Sequence, residues 1–128
     1  MAKTHSSVMM LLAIAGSLAA HAAAAAEDPV QGKAVLEQCT ACHSLEPGQN
    51  GVGPTLHGLF GRKSASAEDF NYSPALRRAN ITWTPELLDT YLADPQSGVF
   101  RGNRMPFSGL PDPQARADLI AYLKQATK

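Results

Sequence analysis

The chain has 128 residues, and its 11 lysines and arginines balance 11 aspartates and glutamates. This length fits one domain. The even charge gives no sign of the basic surface that binds nucleic acid or lipid headgroups.

The first 26 residues are typical of a secretory signal peptide. Lys3 lies in a short polar start, residues 8–20 are largely apolar, and small residues from Ala22 to Ala26 offer cleavage sites. The apolar run is short for a membrane span of about 20 residues, although an uncleaved anchor remains an alternative. The pattern predicts export to the bacterial periplasm and a domain over residues 27–128.

Four residue pairs mark predicted helix starts in the exported part. In each pair a capping residue precedes proline, which suits the first helical position. The pairs Asp28-Pro29, Ser73-Pro74, Thr84-Pro85 and Asp112-Pro113 predict helices over 29–41, 74–79, 85–93 and 113–125.

The motif Cys39-Thr40-Ala41-Cys42-His43 follows the first helix start. A C-x-x-C-H run indicates covalent attachment of haem c, because each thiol can add to one vinyl group and the histidine then faces the iron. A disulfide between such close thiols is unusual, and a thioredoxin-like motif needs a βαβ context. A structural zinc site needs four ligands, and the chain has no other cysteine.

Two long loops are predicted, over residues 46–63 and 96–113, and both are rich in glycine and proline. Loops of this length in a small domain are usually functional, and a buried haem would give them something to wrap. His57 lies in the first loop, where we expect a structural histidine bonded to nearby backbone. A second axial histidine is the alternative.

Met105 is the methionine that remains after removal of the signal peptide. It lies in a tight loop, Gly102-Asn103-Arg104-Met105-Pro106-Phe107. A methionine can also simply fill a gap in a core. Next to a haem site, however, it is the best candidate for the second axial ligand, which is typical of electron carriers with high reduction potentials.

Taken together, these segments resemble class I cytochromes c of the mitochondrial and bacterial c2 type. The resemblance covers nearly all of the exported chain. It is carried by Cys39-x-x-Cys42-His43, Gly53-Pro54-Thr55-Leu56-His57-Gly58-Leu59-Phe60-Gly61-Arg62-Lys63, Phe70-Asn71-Tyr72-Ser73, Ile81-Thr82-Trp83, Tyr91-Leu92-Ala93-Asp94-Pro95, residues 102–107 and Asp118-Leu119-Ile120-Ala121-Tyr122-Leu123. It implies a small all-α fold in which the N- and C-terminal helices cross and long loops wrap round a covalent haem.

The resemblance also implies roles for individual residues. The Pro54 carbonyl would accept a hydrogen bond from His43, an interaction that orients the ring. Arg62, Tyr72 and Trp83 would lie at a haem propionate. Tyr91 would lie beside the Met105 sulfur, and Phe107 would cover the haem near its exposed edge. Tyr72, Trp83 and Tyr91 could instead be core aromatic residues whose polar atoms bond the backbone.

Departures from the family pattern concern packing and partners. Leu36 stands where an aromatic residue is usual, and Leu76 where an asparagine often supports a buried water network. One residue is added around 96–100 and one is missing between His43 and Pro54. Most of the lysines with which mitochondrial relatives dock acidic oxidases are also absent.

We therefore expect a monomeric, periplasmic one-electron carrier with His43 and Met105 as iron ligands, and not an enzyme. Its partners would be redox proteins, reductases and oxidases of the membrane or periplasm, with electrons passing near Gln38, Cys42, Arg104 and Phe107. Alternatives are a dedicated electron-accepting subunit of a periplasmic dehydrogenase, or a haem peroxidase or gas sensor. The last two need an open sixth position at the iron.

Overall fold

The computed structural model describes residues 25–128, and between them the chain forms four α-helices and one 3₁₀ turn. The helices are α1 (Pro29–Leu36), α2 (Pro74–Ala79), α3 (Pro85–Ala93) and α4 (Pro113–Ala126), and the 3₁₀ turn is Gly98–Phe100. The all-α class is thereby confirmed. The predicted signal peptide lies outside the described residues except for Ala25 and Ala26, so the domain boundary stays a prediction.

The four predicted helix starts are confirmed. Every helix begins at the expected proline, and the residue before it accepts backbone hydrogen bonds through its side chain. Asp28, for example, accepts from the amides of Val30 and Gln31. These caps satisfy amides that have no partner inside the helix.

The first helix ends at Leu36, and the predicted end at residue 41 is wrong. Beyond Leu36 the backbone bonds mostly join residues three apart, from Cys39 N to the Leu36 carbonyl at 2.8 Å and from Cys42 N to the Cys39 carbonyl at 3.1 Å. The Cys39 carbonyl also accepts from His43 N, four residues further on, at 3.0 Å. Such tightening into 3₁₀-type turns is frequent at helix ends. Residues three apart eclipse one another in this geometry, so the two cysteines still share a side.

The first and last helices cross at Gly32. A Cβ at this position would come within 1.9 Å of the Asp118 carbonyl oxygen, so the close approach of α1 and α4 depends on glycine. The buried Asp118 carboxylate accepts hydrogen bonds from the Asp28 amide and the Gln114 side chain, both at 2.8 Å. Leu36 is buried in the same core, so it serves there without the larger aromatic ring.

An aromatic cluster fills the core beside α3. Trp83 stacks on Phe100 with ring centroids 5.7 Å apart, and Tyr91 packs edge-on against both rings. The segment over residues 96–100 contains the 3₁₀ turn, which begins at Gly98 with a positive φ of 51°. None of the helices between residues 25 and 128 is long and apolar enough to cross a membrane.

Candidate functional site

A cavity of about 530 Å³ lies between the helices and the two long loops. Its walls are mainly apolar, with leucines from α1, α2, α3 and α4. All ten residues singled out from the sequence line it: Cys39, Cys42, His43, Pro54, Arg62, Tyr72, Trp83, Tyr91, Met105 and Phe107. The fold thus brings residues from distant parts of the chain to one chamber.

His43 is held by the loop that follows it. Its Nδ1 lies 2.7 Å from the Pro54 carbonyl oxygen. That oxygen can only accept, so Nδ1 carries the hydrogen and Nε2 keeps a lone pair. Gly53 lies against the ring, where a Cβ would come within 2.4 Å of His43 Cε1. The backbone therefore fixes both the orientation and the tautomer of the imidazole, leaving one nitrogen able to bind a metal.

Cys39 and Cys42 are both half-buried free thiols in this structure. Burial, together with the nearby Cys42, raises the pKa of the Cys39 thiol above its usual value. The raised pKa disfavours the thiolate form that disulfide exchange requires.

Met105 approaches the cavity from the loop between α3 and α4. Its Sδ lies 3.2 Å from the Tyr91 hydroxyl oxygen. Burial raises the pKa of Tyr91 from 10.0 to about 12, so the hydroxyl keeps its hydrogen and can donate it. The predicted contact between these two side chains is present.

Arg62 presents an unpaired donor. Its two terminal nitrogens donate to the carbonyls of His57 (2.8 Å) and Thr55 (2.9 Å). Its Nε is buried and finds no acceptor within residues 25–128. Tyr72 is similar, because its hydroxyl accepts from the Ala67 amide at 3.1 Å and retains a hydrogen to donate. Both groups could hold a carboxylate.

Two side chains with amide groups hold the loop that carries Met105, and neither was singled out from the sequence. Asn103 is buried and accepts from the Met105 amide at 2.9 Å. Gln96 donates to the Asn103 carbonyl at 3.2 Å and accepts from the Gly102 amide at 3.0 Å. A signal for Asn103 existed, since asparagine often bonds the backbone two residues further on. Nothing local marked Gln96.

Other expectations have mixed outcomes. His57 does not line the cavity, which disfavours a second axial histidine. Its backbone makes hydrogen bonds, but its imidazole makes none within the described part of the chain, so the predicted side-chain bond is wrong. Leu76 does line the cavity and adds an apolar wall.

The mouth of the cavity carries little charge. The exposed residues that line it are Gln38, Val52, Asn71, Arg104 and Pro106. Val52 is 72% exposed, and Arg104 donates to the Asn71 carbonyl at 2.8 Å. Gln38, Cys42, Arg104 and Phe107, expected from the sequence to lie where electrons pass, all contribute to the cavity wall.

The cavity suits an iron porphyrin in four respects. The apolar walls match a macrocycle, and His43 offers a nitrogen lone pair at the wall. The buried Arg62 Nε lacks an acceptor that a propionate would supply. Two thiols three residues apart are available for thioether bonds.

Comparison with known proteins agrees with this fit. A family model described as Cytochrome c matches residues 29–127. Cytochrome c2 of Blastochloris viridis is 46% identical over 119 residues, 92% of this chain and 91% of that protein. Cytochrome c2 of Rhodopila globiformis is 45% identical over 98 residues (76% and 92%), and cytochrome c of Chlamydomonas reinhardtii 46% over 108 residues (83% and 96%). The protein therefore carries covalent haem c, and the chain belongs to the cytochrome c family.

Proposed function

We propose that the protein is a periplasmic one-electron carrier in which His43 and Met105 bind the iron and Cys39 and Cys42 form the thioethers. Support comes mainly from one observation: both ligand candidates line the same cavity, where His43 is bonded through Nδ1 so that Nε2 stays free, and Met105 is held through its backbone amide. Haem bound there supplies a metal that accepts and releases single electrons.

The chain's own residues keep this site rigid. His43 is held through Pro54, and Met105 through Asn103 and Tyr91. Because these contacts come from the folded chain, the ligand positions should change little between oxidation states. Two occupied axial positions would also leave no place for a substrate, which is why we propose a carrier and not an enzyme.

Arg62, Tyr72 and Trp83 would bind a haem propionate. Arg62 is the strongest candidate because its buried Nε has no acceptor in the described chain. A propionate there would satisfy the guanidinium and remove an uncompensated buried charge. Phe107, half-buried at the cavity wall, would cover part of the ring.

Partners would be redox proteins that approach the mouth of the cavity at Gln38, Cys42, Arg104 and Phe107. The cytochrome c2 relatives and the sequence of residues 1–26 support a periplasmic location. Cell fractionation and the mass of the exported protein would test it. Protein found uncleaved in the membrane fraction would count against it.

The function is tested by the absorption spectrum of the protein purified from a host that attaches haem c. We expect sharp c-type bands on reduction and a weak ferric band from sulfur-to-iron charge transfer. If Met105 binds the iron, Met105→Ala should abolish the ferric sulfur band and lower the reduction potential. The reduced wild type should react only slowly with carbon monoxide, because Met105 would occupy the position at which carbon monoxide binds. Rapid carbon monoxide binding by the wild type would instead favour a sensor or peroxidase.

A further inference from the structure

We propose that Asn103 is a positioning residue that limits hydrogen bonding from Tyr91 to the Met105 sulfur and so sets part of the reduction potential. The proposal rests on the function proposed above, in which Met105 is an iron ligand. It arises from a set of hydrogen bonds that converge on a single buried amide.

The Asn103 side chain uses its whole hydrogen-bonding capacity. Its Nδ2 donates to the carbonyls of Pro95 and Phe100, and its Oδ1 accepts from the Met105 amide and the Tyr91 hydroxyl. An amide group has two hydrogens to donate and two lone pairs. A flipped amide would place donors against the Met105 N–H and an acceptor against two carbonyls. The orientation of Oδ1 is therefore fixed by the surrounding chain.

The Tyr91 hydroxyl has one hydrogen and two neighbours that can accept it. Asn103 Oδ1 lies at 3.3 Å and Met105 Sδ at 3.2 Å. An amide oxygen is a much better acceptor than a thioether sulfur. Since Tyr91 is buried, with 7% of its surface exposed, water competes little for this hydrogen. Asn103 consequently draws the hydrogen away from the sulfur for part of the time.

The sharing of the Tyr91 hydrogen between Asn103 and the Met105 sulfur should affect the reduction potential of the iron. A hydrogen bond to the sulfur withdraws electron density from the lone pairs with which a thioether binds iron. A weaker donor stabilises Fe(III) less and so raises the reduction potential. By competing for the hydrogen, Asn103 keeps the sulfur a stronger donor and holds the potential below the value it would otherwise have.

Gln96 provides a matched control. It lies in the same loop and bonds the Asn103 carbonyl and the Gly102 amide, but it does not contact the Tyr91 hydroxyl. Gln96→Ala should loosen the loop without changing which atom accepts from Tyr91. A purely mechanical effect of the loop on the potential would therefore appear in both the Gln96 and Asn103 variants.

The test is a double-mutant cycle on the haem-loaded protein. Asn103→Ala, Asn103→Ser and Gln96→Ala are each made with Tyr91 and with Tyr91→Phe, and the reduction potential and ferric sulfur-to-iron band are measured. We expect Asn103→Ala to raise the potential more with Tyr91 than with phenylalanine. The shifts caused by Asn103→Ala in the two backgrounds should differ by about threefold in the equilibrium constant for reduction, a small effect for one hydrogen bond. For a one-electron couple this corresponds to about 30 mV. For Gln96→Ala the two shifts should be equal.

Equal shifts for Asn103→Ala in the two backgrounds would overturn the proposal, because the effect would then not pass through the hydroxyl. If the Asn103→Ala variant loses the sulfur band, the shift with Tyr91 is compared with the shift with Tyr91→Phe for Asn103→Ser instead. The serine hydroxyl can still accept a hydrogen bond from the Met105 amide. Loss of the band in both variants would show that Asn103 only holds the loop, and would also overturn it. Absence of the band in the wild type would instead refute Met105 ligation.

Discussion

Replacing Gly53 by alanine tests whether the backbone fixes the His43 ring. The added Cβ would lie 2.4 Å from Cε1, 2.7 Å from Nδ1 and 2.8 Å from Nε2 of His43. Carbon atoms in contact normally lie about 3.5–4.0 Å apart, so the ring must move by roughly 1 Å or more. The hydrogen bond from Nδ1 to the Pro54 oxygen, now 2.7 Å, would then exceed hydrogen-bonding distance.

The expected cost follows from these two losses. Overpacking costs roughly 1–3 kcal/mol, and a lost hydrogen bond costs about 0.5–1.5 kcal/mol. Gly53→Ala should therefore lower the free energy of unfolding by about 1.5–4.5 kcal/mol, as measured by denaturant titration of the haem-loaded protein. The reduction potential should also rise, because a histidine that loses this bond is a weaker donor to Fe(III).

Gly48→Ala is the matched control, because it adds the same methyl group to the same loop. Gly48 has no atom near enough to meet a Cβ, but its φ is +67°. Alanine in this left-handed region costs about 1 kcal/mol, with no effect expected on the potential. If both variants lost equal stability and kept the wild-type potential, the Gly53 backbone would not be what positions His43.

Three further predictions follow from other parts of the structure. Gly32→Ala should lower the free energy of unfolding by roughly 2–4 kcal/mol, since its Cβ would meet the Asp118 backbone oxygen at 1.9 Å. The control Lys33→Ala, on the exposed face of α1, should change the free energy of unfolding little. A Gly32→Ala protein as stable as the wild type would contradict the tight crossing of α1 and α4. The pKa of Tyr91 is raised to about 12 from an ordinary 10.0, so its contribution to stability is complete below pH 10 and is lost as the pH rises towards 12. Between pH 9 and 12, the denaturant midpoint of the wild type should therefore fall more than that of Tyr91→Phe. Parallel curves of midpoint against pH for the two proteins would contradict this. Electron exchange with the physiological partner should depend weakly on ionic strength, because Arg104 is the one charged residue among the exposed residues that line the described cavity; a steep fall in rate between low and moderate salt would contradict it.

The helix starts could be predicted because their causes are local. A capping side chain and a proline at the next position act within one turn, and the four pairs predicted as helix starts each begin a helix. The pair Asp94-Pro95 instead follows the end of α3. The end of α1 could not be predicted in the same way. It depends on a change from four-residue to three-residue hydrogen bonding after Leu36, for which no glycine or proline gives a signal.

The candidate site divides along the same line. His43 and the two cysteines form a contiguous motif whose chemistry fixes its own spacing. Asn103 and Gln96 could not be recognised from their neighbours alone, because their partners include Tyr91 of α3 and backbone atoms of a folded loop. The predicted hydrogen bond of the His57 imidazole is not found among the described residues, where the bonds of His57 are made by its backbone.

The loops that hold the two ligand candidates are built in a common way, which explains why they can remain ordered without strands. Their backbone groups are satisfied by side chains: Arg62 and Thr55 bond carbonyls around the His43 loop, and Gln96 and Asn103 bond both amides and carbonyls around Met105. A buried backbone group without a partner is costly, so each of these side chains replaces a strand or helix partner. The positions of the two ligand candidates are therefore set by individual polar side chains, and single substitutions at those residues should change the reduction potential of the haem-loaded protein while the four described helices stay intact.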